Sequence, residues 1–370
     1  MYLLKFVASG LRNLADTTIN LSSQLNIVEG INAAGKSSLL EGVSLLVSGR
    51  SFRASNNTQL ISHNAKTLAL FGEFDDSTKL GFSYGHKKDS RKIRLNGKNV
   101  KVLSVVASLF PVQILSPESY HLIDAGPSQR RKYLDWLLFH VEHSYKSDWQ
   151  NFNKVLKQRN SYLRSLKGDI SKLDPAQINV WNTKFVDAAT IINHKRLNLT
   201  NMILPDLYKV LEVIQFCLKQ KLTLDYRSGC GHLNLQERLL ESIRQDVARG
   251  TTTYGPHKAD LRILLGGRNV GDVLSRGQKK MLINALYLSQ TNLLKELSSK
   301  DSLFIIDDFS SELDRSNQLQ LVLALKDQEN VQVLISCLDS VVLKPLIKEY
   351  NNVNMFHVEH GVISEVTLPN

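Results

Sequence analysis

The 370-residue sequence is poor in cysteine, with only Cys217, Cys230 and Cys337, and none of them has the spacing of a metal or redox motif. We therefore expect all three to be structural in a reducing, cytoplasmic setting. No apolar run approaches the ~18 residues of a membrane helix, and the chain start lacks the basic residues of a signal peptide. These absences exclude a disulfide scaffold and predict a protein that is neither exported nor held in a membrane.

Acidic residues are outnumbered, since 46 Lys and Arg face 35 Asp and Glu and the net charge is +11. This balance favours a polyanionic partner, although a basic protein without one is the alternative. Residues 87–101 hold seven basic residues against one acid, and residues 128–172 hold ten against four. Both stretches are candidate DNA surfaces, with Lys154, Lys157 and Arg159 as predicted phosphate contacts. A solvated helix face is the alternative for the second stretch.

Hydrophobic periodicity changes twice along the chain. Up to about residue 120, segments such as LALFGEF predict strands, and Asn96-Gly97 in RKIRLNGKNVK predicts a tight hairpin turn. Over residues 128–248 apolar side chains recur at helical spacing, interrupted by KLTLDYRSG, a candidate strand. Strand patterns return in DLRILLGGRNV, whose Gly266-Gly267 suits a second hairpin turn.

The length of the chain exceeds the usual limit for one simple core. Together with the changes in periodicity, this predicts an α/β domain assembled from residues 1–120 and 250–370. Residues 121–249 are predicted to form a mainly helical domain inserted into it.

One segment combines a strand, a glycine-rich loop and a helix. LNIVEGINAAGKSSLLEGVSLL matches G-x-x-x-x-G-K-[ST] between an apolar strand and an amphipathic helix. Such a loop turns backbone N–H groups and a helix N-terminus towards an anion, while Lys36 reaches the β- and γ-phosphates and Ser37 holds Mg²⁺. The strand and helix around the loop favour an ATP site over a chance match. The predicted nucleotide contacts are Gly30, Ile31, Asn32, Ala33, Ala34, Gly35, Lys36, Ser37 and Ser38.

A phosphate loop of this type needs a metal-holding carboxylate at the end of a neighbouring strand. LFIIDD at 303–308 offers four apolar residues followed by Asp307 and Asp308. We predict that Asp307 binds Mg²⁺ with Ser37, and that Asp308 orients or deprotonates the attacking water. The alternative is a strand that merely ends in two solvent-facing acids.

A second phosphate-binding sequence, LSRGQ at 274–278, precedes the helical run KKMLINALYLSQTNLL. The Ser275 hydroxyl and the bare backbone at Gly277 suit a terminal phosphate at a helix N-terminus, with Gln278 beside them. Alone, this pentapeptide could also be an ordinary helix start capped by Ser275. Its place between the phosphate loop and the aspartates favours the phosphate.

The order of the phosphate loop, LSRGQ, LFIIDD and SSELD (Ser310–Asp314) resembles the ATPase heads of the ABC superfamily. Within that superfamily the sequence resembles the RecF family of bacterial recombination and repair proteins over essentially its whole length. The strings that carry this resemblance are GLRNL, GRSFR, LSPE, GPSQRRKYLDW, LKQRN, YGPHKADLR and IDDFSSELD. It implies an ABC-type P-loop ATPase head with an inserted helical domain.

In ABC-type heads the signature of one protomer closes over the γ-phosphate held by the other. The resemblance therefore implies that Ser275, Gly277 and Gln278 serve a partner's ATP, and that ATP stabilises a homodimer until it is hydrolysed. It also implies that Gln113 senses Mg²⁺ and the attacking water, and that Arg12 contacts the nucleotide. Their alternatives are a polar strand-end residue and a surface charge.

Two departures from general ABC chemistry predict slow hydrolysis: Asp308 stands where glutamate is usual, and Ser336 stands at the switch position where histidine is usual. His257 in YGPHKAD is a possible catalytic base, although a structural histidine beside a rigid Gly-Pro turn is the alternative. Three further basic residues are weaker candidates for phosphate contacts, and the alternative is that they are solvated at a helix start: Arg130, Arg131 and Lys132.

The resemblance implies a DNA clamp of recombinational repair and the SOS response, with weak DNA-stimulated ATPase activity. Such a clamp recognises single-strand gaps or gap junctions and assists recombinase loading through RecR and RecO. No Cys/His finger or compact helix-turn-helix is evident, so DNA binding should be independent of sequence. A self-contained P-loop phosphotransferase is the main alternative, but it has no use for LSRGQ and SSELD. A transport ATPase would place far fewer residues between loop and signature.

Overall fold

The computed structural model describes residues 1–54, 56–86, 91–231, 234–309, 315–326, 328 and 330–366. The chain forms two compact units. Unit 1 comprises Met1–His121, Lys209–Cys217 and Ser275–Asn370, and unit 2 comprises Leu122–Tyr208 and Leu218–Leu274. The predicted α/β architecture, assembled from both ends of the chain around a mainly helical insertion, is confirmed.

The strands, in chain order, are β1 (Leu3–Ser9), β2 (Thr17–Asn20), β3 (Leu25–Glu29), β4 (Thr67–Phe74), β5 (Lys79–Gly85), β6 (Lys92–Leu95), β7 (Lys98–Asn99), β8 (Val112–Leu115), β9 (Leu222–Arg227), β10 (Asp260–Leu265), β11 (Arg268–Asn269), β12 (Ser302–Ile306), β13 (Val331–Cys337), β14 (Val353–Glu359) and β15 (Val362–Val366). The helices are α1 (Lys36–Ser48), α2 (Leu103–Leu109), α3 (His121–Asp124), α4 (Pro127–Val141), α5 (Tyr145–Ser165), α6 (Pro175–Val213), α7 (Leu235–Glu241), α8 (Ile243–Arg249), α9 (Val270–Val273), α10 (Arg276–Ser298), α11 (Arg315–Lys326) and α12 (Lys344–Ile347).

A mostly parallel sheet in unit 1 has the order β15-β14-β3-β13-β12-β8, and only β15 runs antiparallel to its neighbour. Every residue of β12 and β13 is buried, as expected for strands covered on both faces. Parallel strands end at the same edge of a sheet, so the carboxyl ends of β3, β13, β12 and β8 lie together. The phosphate loop follows β3 at this edge, and Asp307 follows β12.

The second sheet of unit 1 is antiparallel, with the order β2-β1-β4-β5-β6-β7. Alternate residues of β4 are buried, and Phe6, Leu70 and Phe82 on the inner face join the core that also contains the apolar side of α1. The predicted hairpin turn is confirmed, because Asn96 and Gly97 have φ angles of 49° and 77°. The short strand β2 was not predicted.

Unit 2 combines long helices with a small antiparallel sheet of order β11-β10-β9. The predicted strand in KLTLDYRSG is β9, and the predicted turn at Gly266 and Gly267, with φ angles of 58° and 80°, joins β10 to β11. Both predictions are confirmed. Among the helices of the described ranges, none is both long enough and apolar enough to cross a membrane.

The division into units differs from the predicted domain boundaries by more than one residue in two places. Residues 250–274 were assigned to the ATPase domain but lie in unit 2, because β10 pairs along its whole length with β9. Residues 209–217 were assigned to the insertion but lie in unit 1. Local periodicity identifies a strand without identifying its pairing partner, which explains the first difference.

Candidate nucleotide site

The phosphate loop follows β3 and leads into α1, and its two glycines are required by geometry. A Cβ at Gly30 would lie 2.4 Å from the carbonyl oxygen of Val358, which real structures do not tolerate. Gly35 has a φ of 123°, which side-chain-bearing residues rarely adopt, and its Cβ would lie 2.7 Å from Leu14. The motif is therefore fixed by close packing of the loop as well as by its chemistry.

The N-terminus of α1 is open to an anion. Gly35 occupies the N-cap position, no side chain caps the helix, and its first turn has no acidic residue. Ile31, Asn32 and Ala33 are exposed on the loop above it. Uncapped N–H groups and the helix dipole together favour a phosphate at this position.

Lys36 is almost fully buried, at 7% exposed, and its Nζ donates to the carbonyl oxygens of Gly30 at 2.7 Å and Ile31 at 2.9 Å. Burial lowers the pKa of Lys36, and the negative charges of Asp308 and Asp307 offset part of this effect. The ammonium group is thus held beside the loop by two neutral acceptors. Phosphate oxygens would be stronger acceptors for it.

Ser37 and Asp307, the predicted metal pair, are in direct contact although 270 residues separate them. The Ser37 hydroxyl donates to Oδ1 of Asp307 at 2.8 Å. Burial raises the pKa of Asp307, while hydrogen bonds from Ser37 and Ser336 and the positive charge of Arg53 act in the opposite direction. Two hard oxygen donors at the helix N-terminus suit Mg²⁺, which usually takes one or two protein ligands together with substrate phosphates. Across the described ranges, no cluster of three or more His, Cys, Asp or Glu side chains forms a separate metal site.

Asp308 follows with a φ of 60°, in the left-handed region. Its backbone N–H donates to the Ser336 hydroxyl at 2.8 Å, and its side chain is half-buried near Lys36. The sequence predicted that Ser336 occupies the switch position after the strand VQVLI. The structure instead buries Ser336 completely, with its hydroxyl donating to Asp307 at 2.8 Å.

The signature residues begin α10. Ser275 is the N-cap and accepts the N–H of Gln278 at 3.3 Å, while the Gln278 side chain accepts the N–H of Ser275 at 3.0 Å. Ser275 therefore does cap its helix, as the alternative interpretation predicts. Both side chains are nevertheless exposed, and a Cβ at Gly277 would meet no atom within 4 Å. The first turn of α10 leaves room for an outside group. The SSELD segment, Ser310–Asp314, lies outside the described residues.

A family model described as the RecF/RecN/SMC N-terminal domain matches residues 2–364. The chain is 34% identical to the DNA replication and repair protein RecF of Hahella chejuensis, over 99% of this chain and all of that protein. It is 36% identical to the protein of the same name from Stutzerimonas stutzeri, over all of this chain and 99% of that protein. The chain belongs to the RecF family.

Solved structures agree with this RecF assignment. The structure of the recombination mediator protein RecF-ATP in the RecFOR pathway superposes with a TM-score of 0.84 at 28% identity, over 99% of this chain and 98% of that one. An Smc head bound to the C-winged helix domain of ScpA superposes with a TM-score of 0.59 at 14% identity, over 100% of this chain and 98% of that one, which shows a common fold.

The structure corrects the placement of Gln113 in this RecF-family protein. Gln113 lies inside β8 opposite Phe304, three residues before the sheet edge at Asp307. It is 3% exposed, and its amide donates to the Tyr287 carbonyl at 3.2 Å and to Gln290 of α10 at 3.0 Å. A buried amide committed to α10 is not positioned to sense Mg²⁺ or water at that edge.

Arg12 forms an ion pair within the protein, so it is not the free surface charge of the alternative interpretation. Its guanidinium pairs at 2.7 Å with Glu41, a fully buried residue of α1 that also accepts the Ser51 hydroxyl. Its contact with a nucleotide stays a prediction. Ser38 donates to Asn13 at 2.8 Å, and Asn13 donates to the Ala33 carbonyl at 3.3 Å. Asn13 therefore braces the phosphate loop, a role that no sequence motif indicated.

In unit 2, His257 is half-buried and packs against aromatic residues of the core. Its ring lies 6.3 Å from that of Phe152 and 6.2 Å from that of Phe185, and its Nε2 bonds the Thr252 carbonyl at 2.9 Å. Burial lowers the pKa of His257. This packing supports the structural interpretation of the histidine.

Two arginines of α4, Arg130 and Arg131, also have structural roles. Arg130 holds both carboxylate oxygens of Asp260, at 2.7 and 3.1 Å, and Arg131 donates to the Ala259 carbonyl at 2.6 Å. Both are therefore committed to protein acceptors, whereas Lys132 is exposed.

The basic stretches differ in accessibility. Arg159 is fully buried, bonded to Asp246 at 2.8 Å, Asn182 at 2.9 Å and Thr252 at 2.7 Å, so its predicted contact with DNA is wrong. Lys154 and Lys157 are exposed one turn apart on α5.

At the edge of the antiparallel sheet lies a groove of about 920 Å³, the β6–β7 groove, and none of the described residues that line it is acidic. Its lining residues are Tyr84, Arg91, Lys92, Ile93, Arg94, Asn99, Val100 and Lys101. Residues 87–90 of the first basic stretch lie outside the described part of the chain.

Proposed function

We propose that this protein is an ATP-dependent DNA-binding protein of recombinational repair, whose weak ATPase activity opens a homodimer that ATP closes. The observation that carries the proposal is the 2.8 Å contact of Ser37 with Asp307 beside the uncapped N-terminus of α1. It brings the phosphate-binding and metal-binding groups of an ATPase to one sheet edge. Membership of the RecF family supports the role in DNA repair.

Different groups of the chain have different roles at this site. N–H groups at the start of α1 bind phosphate oxygens, and Lys36 exchanges the carbonyls of Gly30 and Ile31 for the β- and γ-phosphates. Ser37 and Asp307 would hold Mg²⁺, which neutralises developing phosphate charge when bound. Asp308 orients the attacking water and accepts its proton.

The second half of the active site comes from a partner protomer. Ser275 and Gln278 are exposed, and Gly277 offers open space in the first turn of α10, where the helix dipole favours an anion. In a two-fold dimer each signature would close over the γ-phosphate of the other protomer. ATP would then stabilise the closed dimer because it contacts both chains, and hydrolysis would remove those contacts.

DNA is bound through its phosphates. The β6–β7 groove offers Arg91, Arg94 and Lys101 to a backbone and Tyr84 to a base, a combination typical of sequence-independent binding to single strands. Lys154 and Lys157 on α5 form a second candidate surface. Because the solved relative is a recombination mediator of the RecFOR pathway, we extend the proposal to RecR and RecO as partners and to recombinase loading at single-strand gaps.

The test is the molar mass of the protein with ADP, with ATP and with ATP plus gapped duplex DNA. We expect the protein to dimerise only when ATP is present, and we expect the dimer to remain bound to DNA. The variant Lys36→Ala should show neither dimerisation nor retention on DNA. A monomer that ignores both nucleotide and DNA would refute the proposal.

The DNA surface is tested by titrating salt. Log affinity falls as log salt rises, and replacing Arg91, Arg94 and Lys101 with Gln should make this fall less steep. The slope should change by about 0.9 for each DNA phosphate that the protein no longer neutralises. The double variant Lys154→Gln, Lys157→Gln should leave the slope unchanged. If only the second pair changes the slope, the DNA surface is α5.

A further inference from the structure

One buried residue, Ser336, contacts three successive residues after β12. Ser336, the penultimate residue of β13, is 0% exposed. Its hydroxyl donates to Oδ1 of Asp307 and accepts the N–H of Asp308, both at 2.8 Å. Its carbonyl oxygen accepts the N–H of Phe309 at 2.9 Å. Ser336 thus contacts the carboxylate of one aspartate and the backbone of the next two residues.

The turn that it holds has an uncommon conformation. Asp308 has a φ of 60°, which residues other than glycine seldom adopt and which persists only where neighbouring groups impose it. The φ angle of Asp308 contributes to the direction of its Cα–Cβ bond, from which the carboxylate extends. The group that fixes the N–H of Asp308 therefore also directs its side chain.

The same hydroxyl links the turn to the phosphate loop. Oδ1 of Asp307 accepts from Ser336 and from Ser37, so a continuous path of hydrogen bonds runs from Ser37 through Asp307 and Ser336 to the backbone of Asp308. The middle of this path needs a group that donates and accepts at once in a fully buried site. A serine hydroxyl meets that requirement, and alanine or valine would not.

We propose that Ser336 is a positioning residue for ATP hydrolysis, which fixes the carboxylates of Asp307 and Asp308 relative to Ser37 without touching the nucleotide. The inference rests on the ATPase activity proposed above and goes beyond it, because it assigns the geometry of both carboxylates to one residue of the neighbouring strand. ATP itself is held by Lys36 and α1, which Ser336 does not contact through any of its three bonds.

The experiment compares Ser336→Ala and Ser336→Thr with Ser289→Ala as a matched control. Ser289 is also 0% exposed, but its hydroxyl donates only within α10, to the Ala285 carbonyl at 2.7 Å. For each protein one measures ATP affinity in EDTA and in Mg²⁺, the Mg²⁺ concentration that gives half-maximal activity, kcat, KM and the melting temperature.

We expect Ser336→Ala to keep its ATP affinity in EDTA within about twofold, because Lys36 is untouched. Its kcat should fall by about 10–100-fold and its Mg²⁺ requirement should rise, as when a group that orients a metal ligand is removed. Ser336→Thr should recover most of the kcat and most of the wild-type Mg²⁺ dependence. Ser289→Ala should match the wild type in every measurement except the melting temperature.

Wild-type kcat and Mg²⁺ dependence in Ser336→Ala would overturn the proposal. So would an equal loss of ATP affinity in EDTA and in Mg²⁺, which would mean that Ser336 only supports packing. If Ser336→Ala does not fold, Ser336→Cys can replace it, because cysteine has a similar volume and a much weaker donor. Ser336→Cys must then keep its ATP affinity in EDTA while its kcat falls and its Mg²⁺ requirement rises. If the wild type hydrolyses no ATP, the proposed function fails while the Mg²⁺ dependence of ATP affinity still decides the role of Ser336.

Discussion

Gly277→Glu tests whether the signature serves a second protomer. Because a Cβ at Gly277 meets no atom within 4 Å, the new side chain fits the isolated protomer without repacking. The first turn of α10 has no acidic residue, so a glutamate there should favour the helix by about 0.3–1 kcal/mol. The variant protomer should therefore be as stable as the wild type or slightly more stable, and should bind ATP normally.

In the dimer the same glutamate places a negative charge against the partner's γ-phosphate, so hydrolysis should be lost. Mixing it with Lys36→Ala should restore activity, because one site then combines an intact Lys36 with an intact Gly277. Because Lys36→Ala should not dimerise with itself, pairing is not random. Each mixed dimer has one intact site of two, so activity should return to at most about half of the wild-type value.

The assay is ATP hydrolysis at constant total protein, with melting temperatures and ATP affinities for each variant alone. Gly126→Glu is the control, since Gly126 also borders a helix N-terminus and has open space around it. Ser275→Arg is a poorer probe because it also breaks a capping box worth about 1 kcal/mol. No recovery in demonstrated mixed dimers, or a loss of ATP affinity in monomeric Gly277→Glu, would refute a site shared between chains.

Three further outcomes follow from buried groups. Arg159→Ala should lower the free energy of unfolding by about 3–5 kcal/mol, because it leaves Asp246 buried without its partner, and the salt dependence of DNA binding should not change. Asp307→Asn should keep ATP affinity in EDTA but reduce Mg²⁺-dependent hydrolysis at least about tenfold. Burial lowers the pKa of His257, so its stabilising contribution is complete above about pH 6.5 and is lost as the pH falls towards the lower native value. Urea titrations at about pH 7 and pH 5 should therefore show a smaller loss of stability in His257→Phe than in the wild type, and equal losses would contradict the assignment.

The approach of Ser37 to Asp307 could be predicted from the sequence because the signals for both residues are local. The loop at Gly30–Ser37 and the strand before Asp307 are each contained in a few consecutive residues, and their chemistry requires them to meet. The 2.8 Å contact between Ser37 and Asp307 is the geometry that this requirement implies.

Side chains whose partners are remote were predicted less well. Arg159 was predicted as a surface charge, but it lies on the buried face of α5 between Val155 and Leu163, where Asp246, 87 residues later, neutralises it. Gln113 was placed at a strand end, whereas pairing with β12 extends β8 to Leu115 and turns the amide towards α10. Ser336 was matched by motif position alone, which does not specify the face of β13 that a side chain occupies.

The strand order of the parallel sheet has a consequence for biosynthesis. β3, which carries the phosphate loop, is made within the first thirty residues, but both of its neighbours, β13 and β14, lie beyond residue 330. Pairings between such distant segments form slowly and only after the intervening chain exists. Most of unit 2 leaves the ribosome in the meantime, and we expect it to fold first. The apolar residues of β3 therefore lack both neighbouring strands while most of the chain is translated, and we expect this segment to be prone to aggregation in the nascent protein.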